Sequence, residues 1–398
     1  MSFRLVVRRL RSKMALRSKI SHIVTPIALL LRIFGIRFST QGTDHRIGHL
    51  VGEPYYMYLR SRHSSLFGKF FILLIPRGEC ANKYVIENLP KNFLVVKNVL
   101  LCKLLYLFKI NPISAVRTRN VFVWDQRAVE SLRYSEESLQ EKKFISVPGR
   151  NSNLVQDLFE KIGLSSSPWY VCLHIREAGY AKLLDDDITE FRNSDINTYI
   201  SAIEYITGMG GFVVRMGDES MTPMPDLPGV IDYATSKFKS DENDFILMSY
   251  CDYFIGSNSG ANWIAIVQQR RILAVNVAPM AVAKIWTSND LAVPKLHLRK
   301  SDGSELPFRE IFDRDIADYQ MSYKFENSGV YVVDNSEDEI LNAVIEFHNI
   351  VINGGHFSED QKKLQEKFDS LFSVRNFGYY SRTPISPYFL FKHSHLLQ

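Results

Sequence analysis

Short apolar runs alternate along the chain with segments that carry apolar residues at helical spacing. The continuous runs Phe70–Ile75 and Phe93–Val96 are typical of strands buried on both faces, and Val121–Trp124 predicts a further short strand. Cys80–Asn88 and Val99–Phe108 predict helices. Strands that alternate with helices indicate a parallel sheet covered by helices.

The same alternation restarts after residues 146–153, a stretch (SVPGRNSN) rich in Pro, Gly, Asn and Ser that predicts a domain boundary. The predicted strands of this second half are Trp169–Leu173, Phe212–Met216, Val230–Ile231, Tyr253–Ile255 and Ile272–Val277. Its predicted helices are Leu154–Ile162, Asp195–Ile206 with Ser194 as N-cap, Asp244–Cys251, one starting near Ala261, and Asp338–Ile350.

Two successive α/β patterns predict an α/β protein with two Rossmann-like domains that face a cleft. We expect a basic leader over residues 1–43, an N-terminal domain over 44–150, a C-terminal domain over 151–355, and a final helix and tail over 356–398 that return to the first domain. Ligands of such sheets bind at the carboxyl ends of the strands. The loops that follow the strands are therefore the candidate sites.

The net charge of +5 is concentrated in the leader, since residues 1–43 hold nine Lys and Arg and no acid, which leaves −4 on the remainder. This distribution argues against a nucleic-acid-binding body, which needs basic residues on its folded surface. The apolar stretch Ile23–Phe34 is interrupted by Pro26 and Arg32 and is shorter than the roughly 20 residues of a spanning helix. It predicts either a segment lying on an anionic membrane surface or a helix packed on the first domain.

The cysteines bear on the cellular compartment of the protein. Cys80, Cys102, Cys172 and Cys251 are scattered and form no CxxC pair. They predict free, buried thiols in a reducing compartment and no structural zinc site. We therefore expect a cytoplasmic protein, with the inner face of the membrane as the surface that the leader would bind.

Candidate chemistry follows three predicted strands of the second half. After the first, His174 and Arg176 alternate around Ile175, so both point to one side of the extended chain. The planar fork of an arginine matches two phosphate oxygens, which makes this pair a candidate anion site. The alternative is an arginine paired with Glu177 or another acid, beside a histidine that is merely buried.

After the next strand, Arg215 and Asp218 are candidate donor contacts, because a carboxylate at a strand end accepts hydrogen bonds from ribose hydroxyls or base N–H groups. The third loop, Gly256–Gly260, joins a strand to a helix through five small residues. Small residues let N–H groups and hydroxyls approach a phosphate at a helix N-terminus, whereas simple capping, the alternative, uses one residue. The candidate phosphate-binding residues of this loop are Ser257, Asn258, Ser259 and Gly260.

Together the three loops predict a clamp for the diphosphate of a nucleotide-sugar donor. Protein cations and N–H groups would neutralise the leaving group, so we expect neither a metal nor a resident cofactor. The run Asp185–Asp187 contains the D-x-D spacing of metal-dependent transferases. It does not follow an apolar strand, however, and a solvated acidic loop is the favoured interpretation.

The first half contributes the segment RIGHLVGE, residues 46–53. His49 stands between glycines and is the candidate general base, because a neutral imidazole can deprotonate an acceptor hydroxyl. Glu53 is the second candidate base. The alternative is a structural histidine near a turn. No G-x-S-x-G elbow and no Ser-His-Asp order supports a hydrolase.

The segments RIGHLVGE, VCLHIREAGY, FRNSDINTYISAIEYITGMGGFVVRMGD, VIDYATSKFKSD and CDYFIGSNSGANWIAI resemble a bacterial glycosyltransferase family found in surface-polysaccharide gene clusters. The similarity covers about residues 44–315. The second half also resembles fucosyltransferase-like enzymes of the GT-B fold. This resemblance implies that Arg176 binds the donor diphosphate with His174 as its partner, that Asp218 contacts the nucleoside, and that Ser257 and Ser259 form a phosphate loop. Those enzymes carry a doubled acid where this chain has RMGD, so a GDP-fucose donor does not follow.

The resemblance implies a GT-B glycosyltransferase that transfers a sugar from a nucleotide-sugar donor to a hydroxyl of a glycan or lipid-linked glycan. We expect the reaction to be inverting and metal-independent. The alternative, from another class, is a non-catalytic nucleotide- or glycan-binding subunit of a polysaccharide assembly complex. Such a subunit would bind a donor and never turn it over.

Overall fold

The computed structural model describes residues 24–39, 45–63, 68–111, 113–116, 143–164, 169–178, 187–284, 287–379 and 381–398. The chain divides into two compact units, unit 1 (Met1–Phe122) and unit 2 (Val123–Gln398). Each contains a parallel sheet with helices, which confirms the predicted α/β class. The predicted strand Val121–Trp124 lies outside the described residues.

Unit 1 is built on a four-stranded parallel sheet in the order β3-β2-β1-β4. Its strands are β1 (Ile36–Ser39), β2 (Phe70–Leu74), β3 (Phe93–Val96) and β4 (Ala115–Val116). β2 and β3 confirm two predicted strands, whereas β1 (IRFS) was not predicted because four residues of mixed polarity give little periodic signal. The helices of unit 1 are residues 24–33, Ile47–His63, Lys83–Glu87 and Val99–Ile110.

The two faces of this sheet are covered differently. On one face Phe71, Leu73 and Phe93 are buried. The other face carries a cluster to which the helices 24–33 and Val99–Ile110 both contribute. The buried members of this cluster are Phe38, Leu74, Val96 and Cys102, and Leu31, Ile72, Leu105 and Phe108 pack against them.

The helix Ile47–His63 forms despite two glycines and Pro54 in its sequence. Leu50, Val51 and Met57 are fully buried, so packing of the apolar face outweighs the poor helix propensity of the two glycines and Pro54. His49 and Glu53 therefore lie one helical turn apart on a helix, and not near a turn of the chain.

Unit 2 is built on a six-stranded parallel sheet in the order β10-β9-β8-β5-β6-β7. Its strands are β5 (Tyr170–His174), β6 (Phe212–Arg215), β7 (Val230–Ile231), β8 (Tyr253–Gly256), β9 (Arg271–Val277) and β10 (Leu291–Pro294). An antiparallel pair follows, β11 (Leu296–Arg299) with β12 (Val330–Val333). Every strand predicted for this half is present to within one residue at each end.

The helices of unit 2 are Asn153–Lys161, Ile200–Gly208, Asp241–Tyr250, Asn262–Val267, Phe308–Asp313, Ser322–Asn327, Glu337–Asn353, Glu359–Asp369 and Pro387–Lys392. The predicted helix Asp195–Ile206 is split, because a short 3₁₀ segment, Ile196–Tyr199, precedes Ile200–Gly208. Asp195 caps the 3₁₀ segment, whereas the hydroxyl of the predicted cap, Ser194, lies 3.3 Å from the Tyr199 hydroxyl.

The C-terminal segment has contacts inside unit 2. Glu346, on the helix Glu337–Asn353, accepts hydrogen bonds from the Ser386 hydroxyl at 2.6 Å and from the Tyr388 N–H at 2.7 Å. His393 Nε2 lies 2.6 Å from Glu339 Oε1 of the same helix. A return of this segment to the first domain stays a prediction.

Candidate functional site

The strand order of unit 2 puts a topological switch point, the position of the ligand crevice in open α/β sheets, between β5 and β8. From β5 the chain continues to β6 and β7 on one side, and it then returns to β8 on the other side of β5. Such a switch point is where open α/β sheets bind their ligands. His174 pairs with Gly256, and Leu173 pairs with Arg215. The three predicted loops therefore begin side by side, at the carboxyl ends of three adjacent strands.

Gly256 allows the ends of β5 and β8 to approach each other. A Cβ atom at this position would lie 3.1 Å from the His174 carbonyl oxygen and 2.8 Å from the Phe254 ring. Any larger residue would have to displace one of them. The glycine therefore places the loop after β8 directly beside His174.

The loop after β8 buries polar atoms without hydrogen-bond partners among the described residues. Ser257 is fully buried, and its Oγ has no such partner. Asn258 donates through Nδ2 to the Ala278 carbonyl at 2.8 Å, but its Oδ1 has none. Both amide atoms of Asn262, in the first turn of the next helix, are also buried and unpartnered. Each such atom costs about 1–3 kcal/mol unless a ligand or water satisfies it, so this loop is built to receive a polar group.

Helix capping explains only part of this loop. The Ser259 hydroxyl accepts from the Ala261 N–H at 3.3 Å, and the Ser259 N–H donates to the Ser257 carbonyl at 2.8 Å. The helix begins at Asn262, next to the predicted Ala261. Ser259 thus has a local capping role, whereas Ser257, Asn258 and Asn262 present polar atoms that capping does not use. Asn262 was not predicted, because its only sequence signal is an amide at the start of a helix after the six polar or small residues 256–261.

His174 ends β5 in its neutral form. Burial lowers the pKa of His174 to about 4, although its hydrogen bond to the Met216 carbonyl opposes that shift. Its Nδ1 lies 3.2 Å from that carbonyl oxygen. Because a carbonyl only accepts hydrogen bonds, the proton is assigned to Nδ1, and Nε2 is an acceptor. His174 can therefore accept a hydrogen bond from a ligand hydroxyl, but it adds no charge to an anion site.

Arg176 is oriented by neutral side chains of a neighbouring loop. Its Nε donates to Asn193 Oδ1 at 3.2 Å, and its Nη2 donates to Thr189 Oγ1 at 2.7 Å. Glu177, the alternative partner considered for Arg176, instead binds Arg215 and the Thr222 N–H. These two contacts fix the orientation of the guanidinium, whose planar fork matches the oxygens of an anionic ligand.

Arg215 lies behind the site, in contrast to the donor-binding role predicted for it. Its side chain is fully buried, with Nη2 3.0 Å from Glu177 Oε1 and Nη1 3.1 Å from Asp232 Oδ1. Two carboxylates therefore occupy the terminal nitrogens that were expected to meet a phosphate. Arg215 is a positioning residue that ties the loop after β5 to the residues after β7.

Asp218 is held in the turn after β6. Its Oδ1 accepts hydrogen bonds from the Ser220 N–H at 2.9 Å and from the Ser220 hydroxyl. Its negative charge raises the pKa of His174 against the larger effect of burial. Gly217 permits this turn, because its φ is +156° and a Cβ there would lie 2.2 Å from Met221 Sδ. The predicted contact between Asp218 and a nucleoside stays a prediction.

Lys295 is a second cation near Arg176 that sequence analysis missed. It is buried, and its Nζ donates to the Asn193 carbonyl and to Asp334 Oδ1, each at 2.6 Å. Burial lowers the pKa of Lys295, the charge of Arg176 lowers it further, and Asp334 opposes both effects. Asn193 thus joins the two cations, through its side chain to Arg176 and through its carbonyl to Lys295. The only sequence signal was a lysine directly after an apolar run.

In unit 1, His49 and Glu53 form a close pair. His49 Nδ1 lies 2.9 Å from Glu53 Oε1; the Glu53 side chain is fully buried, and the His49 side chain is 26% exposed. A carboxylate next to Nδ1 favours the tautomer with its proton on Nδ1 and fixes the orientation of the ring. This geometry fits His49 as a general base and Glu53 as the carboxylate that orients it. Both roles stay predictions.

The D-x-D alternative is not tested by the structure. Asp185 and Asp186 lie outside the described residues, and Asp187 begins the short 3₁₀ segment Asp187–Arg192. Within the described ranges, no group of three or more His, Cys, Asp and Glu residues could hold a metal ion.

No family model and no curated protein matches this chain. Solved structures with a similar backbone include a family 9 glycosyl transferase from Veillonella parvula, at 13% identity and a TM-score of 0.44, covering 78% of this chain and 96% of that one. They also include the dodecameric iron-containing glycosyltransferase TibC from enterotoxigenic E. coli H10407, at 12% identity and a TM-score of 0.36, covering 62% and 59%. A third similar structure is TibC, described as a heptosyltransferase, in complex with ADP-D-beta-D-heptose. It has 12% identity and a TM-score of 0.35, and the match covers 60% of this chain and 57% of that one. All three TM-scores are below 0.5.

Proposed function

We propose that unit 2 binds the diphosphate of a nucleotide-sugar donor at the crevice between β5 and β8, and that the protein is a glycosyltransferase. The observation that carries this proposal is a pair of buried donors without hydrogen-bond partners among the described residues, the Ser257 hydroxyl and the Asn262 amide N–H2, in the loop beside the end of the strand that leads to Arg176. Asn258 Oδ1, also without a partner there, is an acceptor and suits a ligand hydroxyl. A phosphate is a strong acceptor for hydroxyl and amide donors, and a guanidinium is the cation that best matches its oxygens.

The same arrangement suits the chemistry of sugar transfer. The bond between the anomeric carbon and the diphosphate breaks, and the diphosphate leaves with additional negative charge. Arg176, with Lys295 behind it, and the donors of the loop after β8 would stabilise that charge as it develops. Neutral His174 would accept a hydrogen bond from a donor hydroxyl through Nε2, and Asp218 would contact the nucleoside.

The proposed acceptor is a hydroxyl of a glycan or lipid-linked glycan. His49, oriented by Glu53, would remove its proton as the anomeric carbon is attacked, which corresponds to an inverting, metal-independent reaction. We further propose a GT-B arrangement, with a fucosyltransferase-like donor domain, acting in surface-polysaccharide synthesis in the cytoplasm. The leader would rest on the inner face of the membrane.

A pair of buried serines tests the donor site. We expect Ser257→Ala to weaken donor binding about two- to tenfold, the equivalent of one neutral hydrogen bond of about 0.5–1.5 kcal/mol. The same change should leave the free protein equally or more stable, because it removes a buried hydroxyl that has no partner. Calorimetric titration with a panel of nucleoside diphosphates and nucleotide sugars measures the first effect, and urea unfolding measures the second.

The matched control is Ser249→Ala. Ser249 is equally buried, but its hydroxyl donates to Gln268 Oε1 at 2.6 Å. This variant should lose about 1 kcal/mol of stability and keep its donor Kd. A destabilised Ser257→Ala variant with an unchanged Kd would contradict the donor site. Binding of a donor without any turnover across the panel would instead favour the non-catalytic subunit.

A further inference from the structure

Unit 1 exposes apolar side chains on one face of its sheet. In register, Ile72 of β2 pairs with Leu94 of β3, and Phe70 lies two residues before Ile72, so these three side chains point to the same face. Ile72 packs in the cluster that also contains Leu31 and Leu105. Phe70 and Leu94 are nevertheless 53% and 60% exposed. The helices 24–33 and Val99–Ile110 thus cover only part of this face.

The helix Val99–Ile110 is apolar on both its inner and outer sides. Cys102, Leu105 and Phe108, at three-residue spacing, face the sheet. Leu100 and Leu104, one turn apart, point away from it and are 69% and 63% exposed. A helix on the surface of a globular protein normally has a polar outer side, and one that is apolar all round is buried in protein or lipid. The outer side of this helix therefore requires a partner.

The segment before β1 extends the same surface. The helix 24–33 contributes Leu31 to the cluster, while its C-terminal end exposes Ile33 and Phe34. The exposed apolar residues of these segments, together called the apolar face of unit 1, are Ile27, Leu29, Leu30, Ile33, Phe34, Phe70, Leu94, Leu100, Leu101, Leu104, Tyr106 and Ile110. Exposed patches of such extent mark interaction sites with proteins or membranes.

The charge around the apolar face of unit 1 selects between these partners. The stretches 24–38, 68–75 and 89–110, which carry the face, contain seven cations and no acid. Six of these cations are Arg32, Lys69, Lys91, Lys97, Lys103 and Lys109. The seventh, Arg37, pairs with Phe71 and therefore points to the opposite face of the sheet. Lys97 lies 3.8 Å from Glu87, an exposed acid outside these stretches. Positive charges beside apolar groups, with no acid among them, complement a bilayer that presents anionic headgroups above hydrocarbon.

We infer that the apolar face of unit 1 docks on the surface of a membrane that contains anionic lipid, with the outer side of the helix Val99–Ile110 inserted among the headgroups. Among the described residues, no helix is long and apolar enough to cross a membrane. This mode of binding adds a structured surface to the leader predicted from the sequence, and it does not depend on the donor chemistry proposed for unit 2.

Vesicle co-sedimentation of the full chain tests this docking surface. Wild-type protein should bind vesicles of phosphatidylcholine with 30% phosphatidylglycerol in low salt, and bind them less in 0.5 M salt and less still without phosphatidylglycerol. The triple variant Leu100→Ser, Leu101→Ser, Leu104→Ser should lower the partition coefficient at least about tenfold. Lys103→Glu should lower it only for anionic vesicles. Circular dichroism and thermal unfolding check that each variant is folded.

The control is Leu154→Ser, which changes an exposed leucine on a helix of unit 2 (44% exposed) and should leave partitioning unaltered. Equal binding of the triple variant and the wild type would overturn the proposal and leave the leader as the anchor. Absence of vesicle binding by the wild type would overturn it as well. Light scattering that shows a wild-type dimer, a monomeric triple variant and equal vesicle binding by both would assign the face to a second copy of the chain.

Discussion

The two parallel sheets of this protein differ in which side chains they bury and which they expose. The sheet of unit 2 has its central strands β5 and β8 almost wholly buried, and it places unpartnered polar atoms such as Ser257 Oγ at its carboxyl edge. The sheet of unit 1 buries one face and leaves Phe70 and Leu94 of the other exposed. The contrast is therefore between the carboxyl edge of one sheet, which buries polar groups without partners among the described residues, and a face of the other sheet, which exposes apolar side chains.

Both departures carry a free-energy cost in the isolated chain, and each is relieved by a different kind of partner. A buried hydroxyl or amide is satisfied by a polar ligand, and an exposed leucine is satisfied by an apolar surface. The comparison therefore assigns the two proposals to different units: the proposed donor site to unit 2, and the proposed docking surface and base His49 to unit 1. Local conflicts of this kind are expected where function, and not stability, selects the residue.

The largest effect is expected when the proposed base of unit 1 is removed. His49→Ala should lower kcat about 10²–10⁴-fold, the contribution of a general base, while the donor Kd measured by calorimetry stays unchanged because unit 2 binds the donor. Glu53→Gln should lower kcat less, since it disturbs only the orientation of the imidazole. The control is His45→Ala, which changes an exposed histidine two residues before the start of the same helix. Full activity of His49→Ala would remove the base from unit 1.

A second prediction contrasts two arginines at the carboxyl edge of unit 2. Arg176→Ala should weaken donor binding about ten- to a hundredfold with little change in stability, because a charge-assisted hydrogen bond contributes about 1.5–3 kcal/mol. Arg215→Met should instead lower the free energy of unfolding by about 3–5 kcal/mol, since it leaves the carboxylates of Glu177 and Asp232 unpaired. The comparison breaks down if Arg176→Ala unfolds the protein or keeps the wild-type donor Kd.

The smallest expected effect concerns the buried histidines of unit 2. Burial lowers the pKa of His297 to about 4. A histidine with a depressed pKa stabilises the folded state above its unfolded pKa, and this stability is lost as the pH falls from about 6.5 towards 4. For His297 the loss between pH 7 and pH 5 is about 2 kcal/mol. Urea unfolding at both pH values should therefore show a smaller difference for His297→Gln than for the wild type.

The control for this prediction is His356→Gln, which changes an exposed histidine of the same unit and should keep the pH dependence of the wild type. An identical pH dependence in His297→Gln and the wild type would mean that His297 is protonated in the folded protein at pH 5. His174, also lowered to about 4, should behave in the same sense.

Much of the fold was readable from local pattern. Continuous apolar runs located β2, β3, β5 and β8. Only β5 and β8 are buried on both faces, however, because Phe70 of β2 and Leu94 of β3 are exposed. The helix Ile47–His63 was not predicted, since its glycines and Pro54 are poor helix formers and only the burial of Leu50 and Met57 makes it stable. Tertiary packing outweighs propensity there, and no local rule anticipates it.

The sequence predicted which types of residue lie at the candidate site, but it did not predict which side chains each of them contacts. The sequence identified His174, Arg176 and Ser257 as strand-end residues with suitable chemistry. It could not distinguish Arg176 from Arg215, because both follow apolar strands and both have acids nearby in sequence. Only the side-chain contacts show that Glu177 turns to Arg215 and that Arg176 binds neutral groups. Lys295 and Asn262 were missed for the same reason, since their roles depend on neighbours distant in sequence.

The sequence by itself determined the positions of the strands with continuous apolar runs, the polar loops that follow them and the cations that accompany the apolar stretches, because each of these depends on the order of residues along the chain. The tertiary structure alone decided that β5 lies between β8 and β6, and so brought residues near positions 175, 215 and 257 to one edge. It also decided which face of the unit 1 sheet stays uncovered. Strand order and face coverage depend on contacts between distant segments, and a local pattern carries no information about which segments will meet.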